Sequence, residues 1–118
     1  MNPREFKKLV KERQRHTHET LLVKGEEYSR DGDRLHNFKS TAAMNDETPA
    51  QSLWGMYSKH IISVRDMVKD TALGIYPTKA QIDEKIGDSI NYNHLLEGLF
   101  IEGLDEQQEL NRSLNENT

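Results

Sequence analysis

The stretch that decides the fold begins at Thr78 and ends at Phe100, and it reads TKAQIDEKIGDSINYNHLLEGLF. Thr78 followed three positions later by Gln81 is a capping-box pattern, in which two side chains satisfy free amides at a helix start. Apolar residues then recur at steps of about three and four, and they are Ile82, Ile86, Ile90, Leu96 and Phe100. This spacing places them on one face of a helix. We therefore predict a long amphipathic helix that ends at Gly103.

The residues before Thr78 show the same helical periodicity. Pro3 and Pro49 each follow a capping residue, and proline at the first helical position loses no needed donor. The pattern predicts helices over about residues 3–24, 34–44 and 49–73. Three turn segments separate the predicted helices, and they are Ser29-Arg30-Asp31-Gly32-Asp33, Asn45-Asp46-Glu47 and Gly74-Ile75-Tyr76-Pro77.

These segments together predict one all-α domain over residues 1–103, a helical bundle of three to four main helices. Convincing period-two alternation is missing from the sequence, and so is an internal repeat. Residues 104–118 are polar and acidic, and we expect a C-terminal tail that is frayed or disordered.

Composition excludes several classes of protein. The chain of 118 residues has 16 Lys and Arg against 20 Asp and Glu, which argues against duplex DNA as a partner. The absence of cysteine excludes disulfides, thiolate nucleophiles and cysteine-based zinc sites. No apolar run reaches the roughly 18–20 residues that cross a bilayer. We expect a cytoplasmic protein without a membrane partner.

The proportion of apolar residues is low: hydrophobic residues make up 34% of the chain and charged residues 31%. Such a composition favours elongated helices that complete their burial against another subunit. The sequence thus predicts an oligomer, either a homodimer or a homotetramer.

Polar residues on the fourth predicted helix form the clearest candidate site. Glu84, Asp88 and Asn91 fall on one face, beside the apolar stripe. Two carboxylates one turn apart can share a divalent cation. The alternative is that both acids are ordinary surface residues paired with Lys85 or Lys79.

The third predicted helix adds Lys59 and Asp66 on its polar side and His60 on its apolar side. If the third and fourth helices pack antiparallel, Asp66 is placed to meet the stripe that contains Glu84 and Asp88. His60 is either a ligand-binding residue or a hydrogen-bonded core histidine.

The segment from Lys24 to Phe38 is dense in functional groups. Arg30 and Arg34 are suited to hold phosphates through two parallel hydrogen bonds. Tyr28 could stack on a base, as could Phe38 or Trp54. The alternative is a charged interhelical loop with internal Asp–Arg pairs.

Four runs of sequence resemble a small phage protein family known as a nucleotide-modification-associated domain, and the resemblance covers roughly residues 20–101. The runs are Lys24-Gly25-Glu26-Glu27-Tyr28-Ser29-Arg30, Gly32-Asp33-Arg34-Leu35-His36-Asn37-Phe38, Lys59-His60 with Ser63 and Asp66-Met67, and Glu84-Lys85-Ile86-Gly87-Asp88-Ser89-Ile90-Asn91-Tyr92. The resemblance implies a phage protein of nucleotide metabolism.

The run Glu84-Lys85-Ile86-Gly87-Asp88 is also distantly similar to the second motif of MazG-type all-α nucleoside triphosphate pyrophosphohydrolases. That likeness implies a Mg²⁺-dependent enzyme, with Mn²⁺ as the alternative ion, that forms a nucleoside monophosphate and pyrophosphate. The sequence departs from the family pattern at Lys85 and Ser63, where two of four carboxylates are missing. Glu84, Glu27 or Asp33 could replace them as ligands.

The resemblance assigns roles to the candidate residues. Metal binding falls to Asp66, Glu84 and Asp88, and catalysis to Glu84 and Asp88. Substrate binding falls to Tyr28, Arg30, Arg34, Lys59, His60 and Asn91. Two alternatives to an enzyme remain: a non-catalytic protein that binds or sequesters a nucleotide, and an inhibitor of a host protein that acts through surface contact.

Overall fold

The computed structural model describes residues 1–117, and they are helical with no β-strand among them. The α-helices are α1 (Pro3–His18), α2 (His36–Asn45), α3 (Pro49–Thr71) and α4 (Lys79–Glu116). A π-helical turn, Glu19–Val23, and a 3₁₀ turn, Lys24–Tyr28, follow α1 directly. The predicted all-α class is confirmed.

Local capping determines where three of the helices begin. Each starts with a reciprocal capping box, and the pairs are Asn2 with Glu5, Thr48 with Gln51, and Thr78 with Gln81. In each pair the side chain of the first residue accepts a hydrogen bond from the backbone amide of the second. The side chain of the second residue accepts one from the backbone amide of the first. The helix starts predicted at these positions are confirmed.

The first helix differs from its prediction in its last third. Regular α-helix stops at His18, and residues 19–28 continue as the π-helical and 3₁₀ turns. Gly25 does not end the helical path; it is buried, and a Cβ there would lie 2.5 Å from the Arg34 guanidinium. The altered winding therefore allows Arg34 to pack closely against this segment.

The helix end predicted at Gly103 is wrong, because α4 continues to Glu116. A single interior glycine costs only about 1 kcal/mol relative to alanine, and the residues that follow are mostly good helix formers. Gly103 is also not in the left-handed conformation, unlike Gly32 and Gly74. The segment predicted to be a frayed or disordered tail is thus helical and exposed through residue 116. The division of the chain at residue 103 stays a prediction.

Gly103→Ala is expected to slow amide hydrogen exchange at residues 104–110 about fivefold, since a helical alanine is favoured by about 1 kcal/mol. A Cβ at this position would meet no described atom within 4 Å. Gly74→Ala is the contrasting variant, because Gly74 has φ 75° and alanine would be strained there. Unchanged exchange in Gly103→Ala would contradict the continuous helix.

The core forms where α2, α3 and α4 meet. Phe38, Leu53 and Leu99 are its buried members, one from each helix. Partly buried neighbours complete the cluster, and they are Leu35, Met56, Tyr57, Tyr92, Leu95 and Leu96. Leu53 near the start of α3 meets Leu99 of α4, and His60 farther along α3 meets Asp88 earlier in α4. The two helices therefore run antiparallel, as the candidate site requires.

The molecule is long for its size. Its radius of gyration is 18.4 Å and its extents are 64 × 31 × 27 Å, whereas a compact domain of this length has a radius of about 13–14 Å. The long axis reflects α4, whose 38 residues extend for about 57 Å. Among residues 1–117, no helix combines the length and apolar character needed to cross a membrane.

Candidate functional site

A pocket of about 380 Å³ opens beside the core, between the π-helical and 3₁₀ turns and helices α2, α3 and α4. Its lining is Thr20, Leu21, Tyr28, Arg34, Asn37, Phe38, Met56, Asp88, Asn91, Tyr92 and Leu95. Four of the residues predicted from sequence are among them: Tyr28, Arg34, Asp88 and Asn91. Phe38, which the sequence analysis named as a residue that could stack on a base, also lines the pocket.

Arg34 provides the positive charge of this pocket. Its guanidinium donates to the Leu21 carbonyl at 3.4 Å and lies 5.8 Å from the centroid of the Tyr28 ring. Within the described part of the chain, Arg34 forms no ion pair, because no carboxylate oxygen lies within 4.0 Å of its guanidinium nitrogens. A partly buried guanidinium without a counter-charge is suited to bind an anion.

The loop before Arg34 is held in one conformation. Asp31 and Gly32 both have positive φ, and the flanking residues Arg30 and Asp33 exchange backbone hydrogen bonds of 3.1 and 2.9 Å. This is the tight two-residue turn that Asp-Gly favours, and it confirms the predicted turn. The turn sets the direction in which Arg34 leaves the loop.

An ion-pair network ties this loop to two helices. Asp33 accepts from the Leu35 amide at 2.9 Å and from the Lys39 ammonium at 2.6 Å. Lys39 also lies 2.9 Å from Glu102 on α4. The hydrogen bond from Lys39, with that from the Leu35 amide, lowers the pKa of Asp33, and the bond to Asp33 raises the pKa of Lys39. Asp33 is therefore engaged in structure rather than free to replace a missing metal ligand.

Asn91 places an unsatisfied polar atom at the pocket. The residue is 8% exposed, and its Oδ1 has no hydrogen-bond partner among the described residues. Leaving a buried carbonyl oxygen unpaired costs about 1–3 kcal/mol. A ligand that donates an N–H or O–H to Asn91 would remove this cost.

Aromatic rings form part of the pocket wall. Tyr28, Phe38 and Tyr92 all line it, and Tyr92 stacks on Tyr57 with centroids 5.2 Å apart. Burial, with a smaller contribution from the charge of Asp88, raises the pKa of the Tyr92 hydroxyl. The rings offer flat apolar surfaces of the kind on which nucleobases stack.

His60 and Asp88 lie side by side, and of the two Asp88 lines the pocket whereas His60 does not. The distance from His60 Nδ1 to Asp88 Oδ2 is 3.7 Å, and the imidazole centroid is 5.0 Å from that of Tyr92. Nδ1 is buried and, in the described region, has no hydrogen-bond partner. His60 is thus close to the site, and the hydrogen-bonded core alternative is not formed at Nδ1.

The other predicted carboxylates lie apart from the pocket lining. Glu84 is 60% exposed with its carboxylate 3.7 Å from the Lys85 ammonium, as in the surface-pair alternative. Asp66 is 58% exposed and lies 3.7 Å from Arg65. Across residues 1–117, no group of three or more His, Asp or Glu side chains is arranged to hold a metal. The described chain therefore does not bring Asp66, Glu84 and Asp88 into one ligand set.

Two predicted phosphate-binding residues also lie outside this pocket. Arg30 is exposed in the turn, and Lys59 is exposed on α3. Asn37, which lies three residues after Arg34, lines the pocket although the sequence analysis did not name it as a site residue. Its position within the Arg34–Phe38 run was the available signal.

A second groove of about 740 Å³ lies between α1 and α4. It is lined by Leu9, Val10, Arg13, Gln14, Thr17, His18, Leu21, Leu22, Ile90, Asn91 and His94. Asn91 and Leu21 line both cavities, so the two cavities adjoin at these residues. An ion pair between Arg13 and Asp83 docks α1 on α4. The hydrogen bond from Lys79, with that from Arg13, lowers the pKa of Asp83.

Known proteins were compared with the chain at three levels. No family model, curated protein or solved structure matches it. The functional interpretation therefore rests on the sequence motifs and on the chemistry of the pocket.

Proposed function

We propose that the chain binds a nucleotide in the pocket beside the core. The observation that carries the proposal is the partly buried Arg34 guanidinium, which faces the pocket without a carboxylate partner in the described chain. It would bind a phosphate group.

Two further features of the pocket support a nucleotide over a simple anion. The rings of Tyr28, Phe38 and Tyr92 suit the faces of a base. The unpartnered Asn91 Oδ1 suits a donor on the edge of a base or sugar. Apolar, polar and cationic groups thus converge on one cavity, as in small-molecule sites generally.

The enzyme form of the proposal is a phage nucleoside triphosphate pyrophosphohydrolase, in which water and a triphosphate give a monophosphate and pyrophosphate. Asp88 is the carboxylate of the predicted set that lines the pocket, and Glu84 lies one turn before it on α4. Mg²⁺ is usually held by one or two carboxylates together with substrate phosphates, so Asp88 would be its main protein ligand, or that of Mn²⁺. When bound, the ion would neutralise charge on the phosphate oxygens.

The second candidate is a protein that binds or sequesters a nucleotide without cleaving it. The position of the Lys85 ammonium beside Glu84 favours this candidate, because the ammonium competes with a cation for the carboxylate. The His60 imidazole beside Asp88, when it is protonated, also competes with a cation for that carboxylate.

Phosphorus NMR distinguishes the two candidates. The purified protein is incubated with pooled ribo- and deoxyribonucleoside triphosphates, first with Mg²⁺ and then with Mn²⁺. For the enzyme we expect pyrophosphate and monophosphate to form in equal amounts, since each bond cleaved gives one of each. The pyrophosphate resonance should therefore grow twice as fast as that of the monophosphate, because pyrophosphate has two equivalent phosphorus atoms.

Unchanged spectra would contradict the enzyme for these substrates. Equilibrium dialysis with EDTA then tests the binder, which should retain its nucleotide and return it unaltered. A protein that neither converts nor binds any of the pooled nucleotides would contradict both candidates.

A further inference from the structure

Two amphipathic helical segments extend from the core without cover. In α1, residues 3–9 are exposed along their whole length, including Phe6 at 57% and Leu9 at 46%. The segment 103–117, which we call the α4 extension, is likewise exposed throughout. Both segments carry apolar side chains that the single chain leaves in water.

In each segment the apolar side chains share one side of the helix. Phe6 lies on the same face of α1 as Arg13 and Thr17, the residues that pack on α4. In the α4 extension, helical spacing places the apolar side chains within one half of the helix surface and the acidic ones within the other. The apolar members of the α4 extension are Leu104, Leu110 and Leu114, each 50% exposed or more, and Phe100 and Ile101 just before it are also exposed.

The two segments lie at opposite ends of the molecule. Arg13 pairs with Asp83, and Thr17 lies against Gly87, so α1 and α4 run in the same direction. Because Asp83 is near the start of α4, residues 3–9, which we call the α1 overhang, project beyond that end. The α4 extension projects beyond the other end of the 64 Å long axis.

Their charges are complementary. Helix α1 carries six Lys and Arg side chains against two Glu. The α4 extension carries four acidic side chains against the single Arg112. Opposite charges of this kind steer association and suppress pairing of like segments.

We propose that these segments are the interface of a homodimer, in which the α4 extension of each copy packs on the α1 overhang of the other. Because the segments lie at opposite ends, turning one copy end over end brings both pairs together at once. The resulting contact closes under two-fold symmetry and leaves neither segment unpaired. This association does not depend on nucleotide binding.

Charge reversal tests this interface by sedimentation equilibrium of the full chain. One variant carries Lys7→Glu and Lys11→Glu, and a second carries Glu106→Lys and Glu109→Lys. Each alone should raise the dimer dissociation constant about tenfold at low salt, because exposed charge pairs contribute up to about 1 kcal/mol each. All four changes in one chain should restore the dissociation constant to about the unmodified value. The α1 segment is then more acidic and the α4 extension more basic, so the two segments attract each other again.

The control is the pair Arg65→Glu and Lys69→Glu, which makes the same charge change at the same spacing on exposed α3. It should leave the dissociation constant unchanged, and circular dichroism should show equal helix content in all variants. A chain that stays monomeric at 100 μM would overturn the proposal. Failure of the variant with all four changes to restore association would overturn it as well. Binding of monomeric protein to anionic lipid vesicles through α1 would also overturn it, in favour of a membrane-surface helix.

Discussion

Replacing Arg34 by alanine is expected to weaken nucleotide binding at least about thirtyfold. The guanidinium faces the pocket without a carboxylate partner in the described chain, so its charge is available to a phosphate. Truncating one partner of a charged, hydrogen-bonded contact costs about 2–5 kcal/mol, which corresponds to roughly thirtyfold or more. Isothermal titration calorimetry with the nucleotide that binds the unmodified protein measures the loss.

Two further substitutions separate charge from geometry at this position. Arg34→Lys keeps the charge but loses the planar fork, so we expect partial binding. Gly25→Ala places a Cβ 2.5 Å from the Arg34 guanidinium and should displace it, weakening binding about tenfold. Gly55→Ala is the matched control, because its Cβ would meet no described atom within 4 Å.

The sequence treats Arg30 and Arg34 alike, whereas the structure separates them. Arg30 is exposed and does not line the pocket, so Arg30→Ala should weaken binding less than threefold. Equal losses in Arg30→Ala and Arg34→Ala would contradict the pocket as the binding site. Such a result would instead favour a diffuse electrostatic contact across the loop.

Asp88→Ala is expected to reduce pyrophosphate formation to the uncatalysed level, if phosphorus NMR shows that the protein is an enzyme. Asp88 is the acid of the predicted set that reaches the pocket, and removing it takes away the carboxylate that would hold the divalent ion beside the phosphates. The residue is 38% exposed in its side chain, so the fold should persist and circular dichroism should be unchanged. Binding should survive, because Arg34 and Asn91 remain.

Asp70→Ala serves as the control for Asp88→Ala. Asp70 is an exposed acid near the end of α3 that does not line the pocket, so its loss makes the same change in charge. We expect turnover within twofold of the unmodified protein. Full turnover in Asp88→Ala would exclude any model in which this carboxylate holds the ion.

Much of the fold could be predicted because its signals are local. A capping box joins residues only three positions apart, so Thr48 with Gln51 and Thr78 with Gln81 reveal two helix starts without any knowledge of packing. The Asp31-Gly32 turn is local in the same sense. The helix end at Gly103 failed because one glycine is a weak signal against the helix formers that follow it.

Less of the candidate site could be predicted, because it depends on how helices turn toward one another. Helical spacing correctly placed Asp88 and Asn91 near each other, and both reach the pocket. The same spacing grouped Glu84 with them, although its side chain is 60% exposed and its carboxylate lies beside the Lys85 ammonium. One helical face is wide enough to hold both pocket residues and solvated ones.

The sequence by itself determined the helical class, the starts of three helices, the tight turn before Arg34 and the chemical types available for a site, since each depends on neighbours along the chain. Only the tertiary structure decided which charges reach the pocket. The π-helical and 3₁₀ turns over residues 19–28 and the buried Gly25 admit Arg34, and the antiparallel packing of α3 and α4 directs Asp88 inward and leaves Asp66 in solvent. Packing between distant segments sets the rotation of each helix, and periodicity alone does not contain that information.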